Sequence, residues 1–182
     1  MKVSVIVASY NYSKYIGATI RSLIDQTLPK DTYEIIVVDD GSTDNTLATL
    51  ERYRENIRLI ALPHRGKDVA CNEGFRLAKG QYIVRVDADD YVNSRFLELE
   101  SLFLEENKSF DAVSCDYLKV DEKGNWLSRV NALTETIACG VMFLQDRLDN
   151  YTENIDIWED TKFVDRFMQQ HTLYNIPLPL YR

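Results

Sequence analysis

Long apolar runs are absent from this 182-residue chain. Nothing approaches the roughly 18 consecutive apolar residues of a membrane span. The run after Met1-Lys2 covers only about seven residues, too short for a signal peptide. Cysteine is scarce: Cys71, Cys115 and Cys139 are odd in number and far apart, which suits reduced thiols in a cytosolic protein. Two histidines, His64 and His171, with no close cysteine pair argue against a structural zinc site. Positive charge is also short, with 21 Lys and Arg against 29 Asp and Glu and a formal net charge of −8. Lys119, Lys123 and Arg129 are too dispersed for a basic patch, so nucleic acid is not an expected partner. There is no internal repeat, low-complexity stretch or linker. The expectation is one domain over 1–182 in the cytoplasm, with peripheral contact at the inner face of a membrane left open.

What is present is alternation. Short β-branched runs at 3–10, 33–38, 57–62 and 81–86 read as strands, and the first two are apolar almost throughout, as strands covered on both faces should be. Helical patterns occupy 13–27, 44–55, 67–79 and 94–107. Ser42 or Thr43 is the expected N-cap of the second helix, and Gly80 the expected C′ residue of the third. This is the signature of βαβ units. Beyond residue 110 the pattern becomes a β-hairpin, 112–120 with 126–130, then an apolar helix over 141–148. A last helix over 161–170 and a Pro-containing, edge-like segment over 173–181 follow.

Two acidic clusters stand where apolar runs end: Asp39-Asp40-Gly41-Ser42 and Asp87-Ala88-Asp89-Asp90. In α/β sheets ligands bind beyond the carboxyl ends of the strands. Carboxylates at two such ends suggest one crevice for a hard cation and a polar ligand, which is how an acidic protein would hold a nucleoside diphosphate. Asp87 and Asp89, two apart, can reach one Mg²⁺ or Mn²⁺ through oxygen; the same residues also read as an acidic turn ahead of a helix. An EF-hand is excluded because Val92 stands where its turn needs Gly. Asp40 would accept hydrogen bonds from a base, or Asp39-Asp40 would simply shape an Asx turn. Glu159-Asp160 precedes a helix, so a carboxylate there is held as the anion, as proton acceptor or as cap. Arg65 and Lys67 are possible phosphate contacts or a solvated loop. Tyr10 and Tyr12 would stack on a base or pack.

The motifs occur together and in order. They are Val3-Ser4-Val5-Ile6-Val7-Ala8-Ser9-Tyr10-Asn11, Ser22–Thr27, Val37-Val38-Asp39-Asp40-Gly41-Ser42-Thr43-Asp44, Asn72-Glu73-Gly74 with Ala78-Lys79-Gly80, Val86-Asp87-Ala88-Asp89-Asp90 and Glu159-Asp160. In this the chain resembles the family 2 glycosyltransferases, inverting enzymes of the GT-A fold. The resemblance implies an α/β, Rossmann-like architecture: a mostly parallel central sheet flanked by helices, with a small antiparallel hairpin in the second half. Residues 1–110 would bind the nucleotide sugar, and 111–182 the acceptor and catalytic base. It implies Ala8 and Tyr10 as first-strand contacts to the nucleotide, Asp40 as the base-recognising carboxylate with Asp39 beside it, and Arg65 near the ligand. It further implies Asp87 and Asp89 as the Asp-x-Asp pair, Asp89 as the direct ligand of Mn²⁺ or Mg²⁺, and Asp160 as the base. The donor would be a nucleotide sugar, UDP-linked by analogy, and the acceptor a saccharide or lipid-linked hydroxyl. Cys71 replaces the Arg that many relatives carry, and the chain ends soon after its final strand, as a compact member or a catalytic core would. Two alternatives differ in class. A sugar nucleotidyltransferase would need a Gly-rich basic loop that Asn11–Tyr15 does not supply. A non-catalytic or truncated domain of a larger polymerase would be distinguished by a lack of transfer.

Overall fold

The computed structural model describes residues 1–148 and 160–182, with the backbone alone at Asp160 and Thr161. Strands β1 (Val3–Ser9), β2 (Tyr33–Asp39), β3 (Arg58–Ala61) and β4 (Tyr82–Arg85) alternate with helices α1 (Ile16–Ile24), α2 (Thr46–Leu50) and α3 (Lys67–Leu77). All three pairings among these strands are parallel. The apolar run of β1 explains its place at the centre. Val3, Val5 and Val7 pack with Ile16, Ile20 and Leu23 of α1, while Ile6 packs with Cys71 and Phe75 of α3 on the opposite face. Each such side chain, fully buried, stabilises the fold by roughly 1.5–3 kcal/mol.

The sheet order β3-β2-β1-β4 means that the chain steps outward from β1, then returns to its other side for β4. Strand order therefore reverses at β1, and a crevice opens beyond its carboxyl end.

Helix α4 (Phe96–Glu106) leads into the expected hairpin, β5 (Ala112–Val120) and β6 (Trp126–Val130). One expectation is overturned. The apolar run at 141–148 is not a helix but strand β7 (Met142–Leu144) followed by a 3-10 turn, Gln145–Arg147. Gly140, at φ +72°, turns the chain just before it. Met142 and Phe143 are then paired antiparallel with β4 on one edge and β5 on the other, so strand partners take the place of internal helical bonds for these residues. β7 thereby joins the parallel half to the antiparallel half. Helix α5 (Asp160–Met168) lays Phe163 and Phe167 against Phe143, with ring centroids 5.4 and 5.0 Å away. Strand β8 (Leu173–Tyr181) runs parallel to β5, its register slipping around Pro177 and Pro179, which have no N–H to donate.

Two local expectations are also corrected. Gly80 is not a helix C′ residue: α3 ends at Leu77, with Ala78 already extended. Gly80 is required because a Cβ there would lie 2.4 Å from the Ser4 backbone nitrogen. Neither Ser42 nor Thr43 caps α2. The N-cap position is Asn45, and Asp44 just before it bonds the helix entry, its Oδ1 accepting from the Thr46 N–H at 2.9 Å. Among the described residues no helix is long and apolar enough to cross a membrane.

Candidate active site

The cavity at the switch point, about 250 Å³, is lined by Ala8 near the end of β1, Tyr10 and Tyr12 after it, Asp40 after β2, Lys67 at the start of α3, and Asp87 and Asp89 after β4. Three strand ends converge there because all three strands run parallel; β1 and β2 end level, at Ser9 and Asp39, and β4 ends at Arg85, opposite Ile6.

Asp39 and Asp40 part company. Asp39 is fully buried and shapes its own turn, accepting from the Ser42 N–H at 2.9 Å and the Ser42 hydroxyl at 2.5 Å. It does not face the cavity. Asp40 does, and its carboxylate organises the loop before α3. Oδ1 accepts from the Arg65 N–H at 2.8 Å and Oδ2 from the Gly66 N–H at 2.9 Å. His64 Nδ1 lies 2.8 Å from Oδ2 and 3.1 Å from the Asp40 carbonyl oxygen. Both neighbours are acceptors, so Nδ1 carries the proton. The imidazole stacks on Tyr10 with centroids 4.0 Å apart and planes at 16°. Gly41, at φ +75°, permits this approach, since a Cβ would meet the His64 nitrogen at 2.6 Å. The Arg65 side chain is not brought to the site. It lines a separate groove with Asn72, Glu73 and Arg76, and only its N–H serves Asp40.

After β4, Asp87 is bracketed by two cations. Arg85 Nε, in a side chain almost wholly buried, lies 3.2 Å from Oδ1, and Lys67 Nζ lies 3.2 Å from Oδ2. Asp89 is exposed at the cavity wall. Asp90 turns inward and accepts from the Tyr181 hydroxyl at 2.7 Å. Burial, reinforced by the charges of Asp87 and Asp89, pushes Asp90 up to about 7, against the pull of that hydroxyl. Burial and the Asp89 charge also raise the Tyr12 phenol.

The donor set suits a hard cation. Asp87, Asp90 and Cys139 bring ligand atoms within 4.8 Å of one another. Burial pushes the Cys139 thiol up to about 12, so it stays protonated; Asp90 is bonded to the Tyr181 hydroxyl, and the carboxylates that line the cavity are those of Asp87 and Asp89, whose oxygens fit Mg²⁺ or Mn²⁺. Asp160 is the first residue of α5, and its side chain, like all of Glu159, lies outside the described residues. His64, Arg85 and Tyr181 are the site residues that sequence reading missed. Arg85 carried a signal, a lone cation in an apolar strand. Tyr181 carried none.

The sequence model of the family "Glycosyl transferase family 2" matches residues 4–167. The chain belongs to glycosyltransferase family 2. Among its relatives, the poly(ribitol-phosphate) beta-N-acetylglucosaminyltransferase TarS of Staphylococcus aureus is 38% identical over 128 residues, 68% of this chain and 21% of the relative. Chondroitin synthase of Escherichia coli is 34% identical over 132 residues, 69% of this chain and 18% of that one. The crystal structure of S. aureus TarS 1-349 in complex with UDP superposes with a TM-score of 0.79 at 25% identity, covering 100% of this chain and 60% of that 1-349 chain. A mannosyltransferase from Pyrobaculum calidifontis in complex with GDP-Man and Mn²⁺ gives 0.76 at 26% identity, covering 97% of this chain and 55% of that one. The GT-A architecture expected for the family 2 chain is therefore the one observed, and the chain spans about a fifth of the length of these curated relatives.

Proposed function

We propose that this family 2 domain binds a nucleoside diphosphate sugar at the switch-point cavity and transfers the sugar, with inversion, to an acceptor hydroxyl in polysaccharide or glycoconjugate synthesis. The observation that carries the reading is the convergence on one cavity of an aromatic ring, Tyr10, a carboxylate at the end of β2, Asp40, a cation, Lys67, and the Asp87 and Asp89 carboxylates. A nucleotide needs these groups in that order: a stacking face, a hydrogen-bond acceptor for a base N–H, and balanced charge at the diphosphate. UDP is the favoured nucleotide because TarS structures contain UDP and UDP-GlcNAc. The fold alone does not choose the base, since the P. calidifontis neighbour is in complex with GDP-Man.

Asp89 and Asp87 would hold Mn²⁺ or Mg²⁺, which supplies positive charge against the charge developing on the departing diphosphate. The protein's own groups do the rest. Tyr10 and Asp40 orient the nucleoside. Lys67, 3.2 Å from Asp87, is the cation placed to meet a phosphate oxygen. Asp160, at a helix N-terminus where a carboxylate is stabilised as the anion, takes the acceptor's proton as its oxygen attacks the anomeric carbon. A single displacement from the opposite face inverts that carbon, and residues 111–182 would present the acceptor, a saccharide or a lipid-linked hydroxyl. The test is Asp160→Asn: turnover is expected to fall about 10²- to 10⁴-fold, with UDP affinity unchanged. Wild-type transfer by this variant would contradict the assignment of the base.

A further inference from the structure

We propose that Tyr181, on the last strand, is the positioning residue that sorts the three carboxylates of the acidic turn, two toward the cavity and one away. The inference rests on the reading of Asp87 and Asp89 as donor- and cation-facing groups.

Tyr181 is 94 residues from Asp87 in sequence, yet its hydroxyl is buried within the acidic turn. Its oxygen accepts from the Asp87 N–H at 3.1 Å, and its O–H donates to Asp90 Oδ2 at 2.7 Å. A buried phenol must find partners; both of these belong to the Asp87–Asp90 turn, and the Cys139 thiol lies beside the hydroxyl as well. The consequence is visible in the cavity wall, where Asp87, Ala88 and Asp89 appear and Asp90 does not.

The ring is held by contacts that do not involve the hydroxyl. Phe96 meets it edge-on at 6.2 Å. Gly140 gives it room, since a Cβ at that position would lie 2.6 Å from the ring. The backbone closes the clamp: Tyr91 N–H donates to the Arg182 carbonyl at 2.7 Å, Arg182 N–H returns to Tyr91 at 2.9 Å, and Asn93 N–H donates to Leu180 at 2.8 Å. Phenylalanine would fill the same volume against Phe96 and Gly140. The hydroxyl therefore serves the turn and adds nothing to the packing of the ring. Its two bonds fix the turn from behind, as groups behind metal ligands commonly fix the ligands in front.

The experiment compares wild type, Tyr181→Phe, Asp90→Ala and the double variant. It measures Mn²⁺ binding by the paramagnetic resonance of free Mn²⁺, UDP binding with and without Mn²⁺ by calorimetry, and thermal melting. Tyr181→Phe is expected to weaken Mn²⁺ and Mn²⁺-dependent UDP binding by roughly 10- to 100-fold, leaving metal-free UDP binding within about twofold and the melting temperature within a few degrees. Asp90→Ala removes the acceptor but keeps the ring, so it carries the same test if the phenylalanine variant folds poorly. The double variant is expected to lose no more than Tyr181→Phe alone, because the bond to Asp90 is one of the two that phenylalanine already removes. Wild-type Mn²⁺ and UDP affinities in both single variants, or losses that simply add, overturn the role of Tyr181 alone. A wild-type protein that binds neither Mn²⁺ nor UDP overturns the donor-site reading and this inference with it.

Discussion

Asp39 and Asp40 are sequence neighbours with different partners, and the difference is testable. Asp39, buried and bonded twice to Ser42, belongs to the turn. Asp39→Ala is expected to cost about 1–3 kcal/mol of stability through lost and orphaned hydrogen bonds, read as a lower midpoint in urea unfolding. Asp89 is exposed, and Asp89→Asn should leave that midpoint unchanged while weakening Mn²⁺-dependent UDP binding about tenfold or more. An unchanged affinity would remove Asp89 from the cation site. Both aspartate pairs were legible in the sequence because each stands at the end of an apolar run. Their roles were not, because these depend on partners far along the chain: His64 and Gly66 for Asp40, Tyr181 for Asp90. Arg65 shows the same dependence. Its basic side chain suggested phosphate, whereas its backbone N–H is what reaches the site.

At the scale of elements, the first four strands and helices followed from periodicity, with ends within a few residues of those expected. The failure at 141–148 is instructive. An apolar run of that length has no period of its own, and strand or helix is decided by neighbours. Here the open edges of β4 and β5 supply the partners. Caps follow a similar logic. For Asp44, burial works upward but the hydrogen bonds from Thr46 and Ser13 prevail and bring its carboxyl down to about 2. Asp44→Ala is expected to destabilise the protein by about 1 kcal/mol, seen as a lower melting temperature at neutral pH; an unchanged temperature would mean that the entry to α2 is fixed otherwise. Gly80→Ala tests the close approach of the β1 and β4 backbones. With a Cβ 2.4 Å from a backbone nitrogen, the strands must part, and soluble expression should fall sharply.

At the scale of the molecule, the parallel half and its reversal at β1 were readable as βαβ units, and with them the place of the crevice. The joining of the two halves was not, since it depends on the pairing of β7 and β8 with strands distant in sequence. One property of the whole fold was equally hidden. Glu100 of α4 is completely buried beside the Cys115 thiol of β5, and burial pushes its carboxyl well above the ordinary value. The folded state then holds a proton that the unfolded chain releases above about pH 4.5, so this group's contribution to stability is complete below that pH and lost as pH rises toward the folded value. Glu100→Gln should accordingly gain stability over wild type as pH rises from 5 to 8, by at most about 1.4 kcal/mol per pH unit. Parallel stability curves would contradict a protonated Glu100. The central claim, a nucleoside diphosphate held at the end of β1 by an aromatic face, Asp40 and the acidic turn, is tested most directly by calorimetric titration with UDP, GDP and dTDP, each with and without Mn²⁺. The account predicts binding of one nucleotide, UDP foremost, that strengthens when Mn²⁺ is present. A folded protein that binds none of the three under either condition would contradict it.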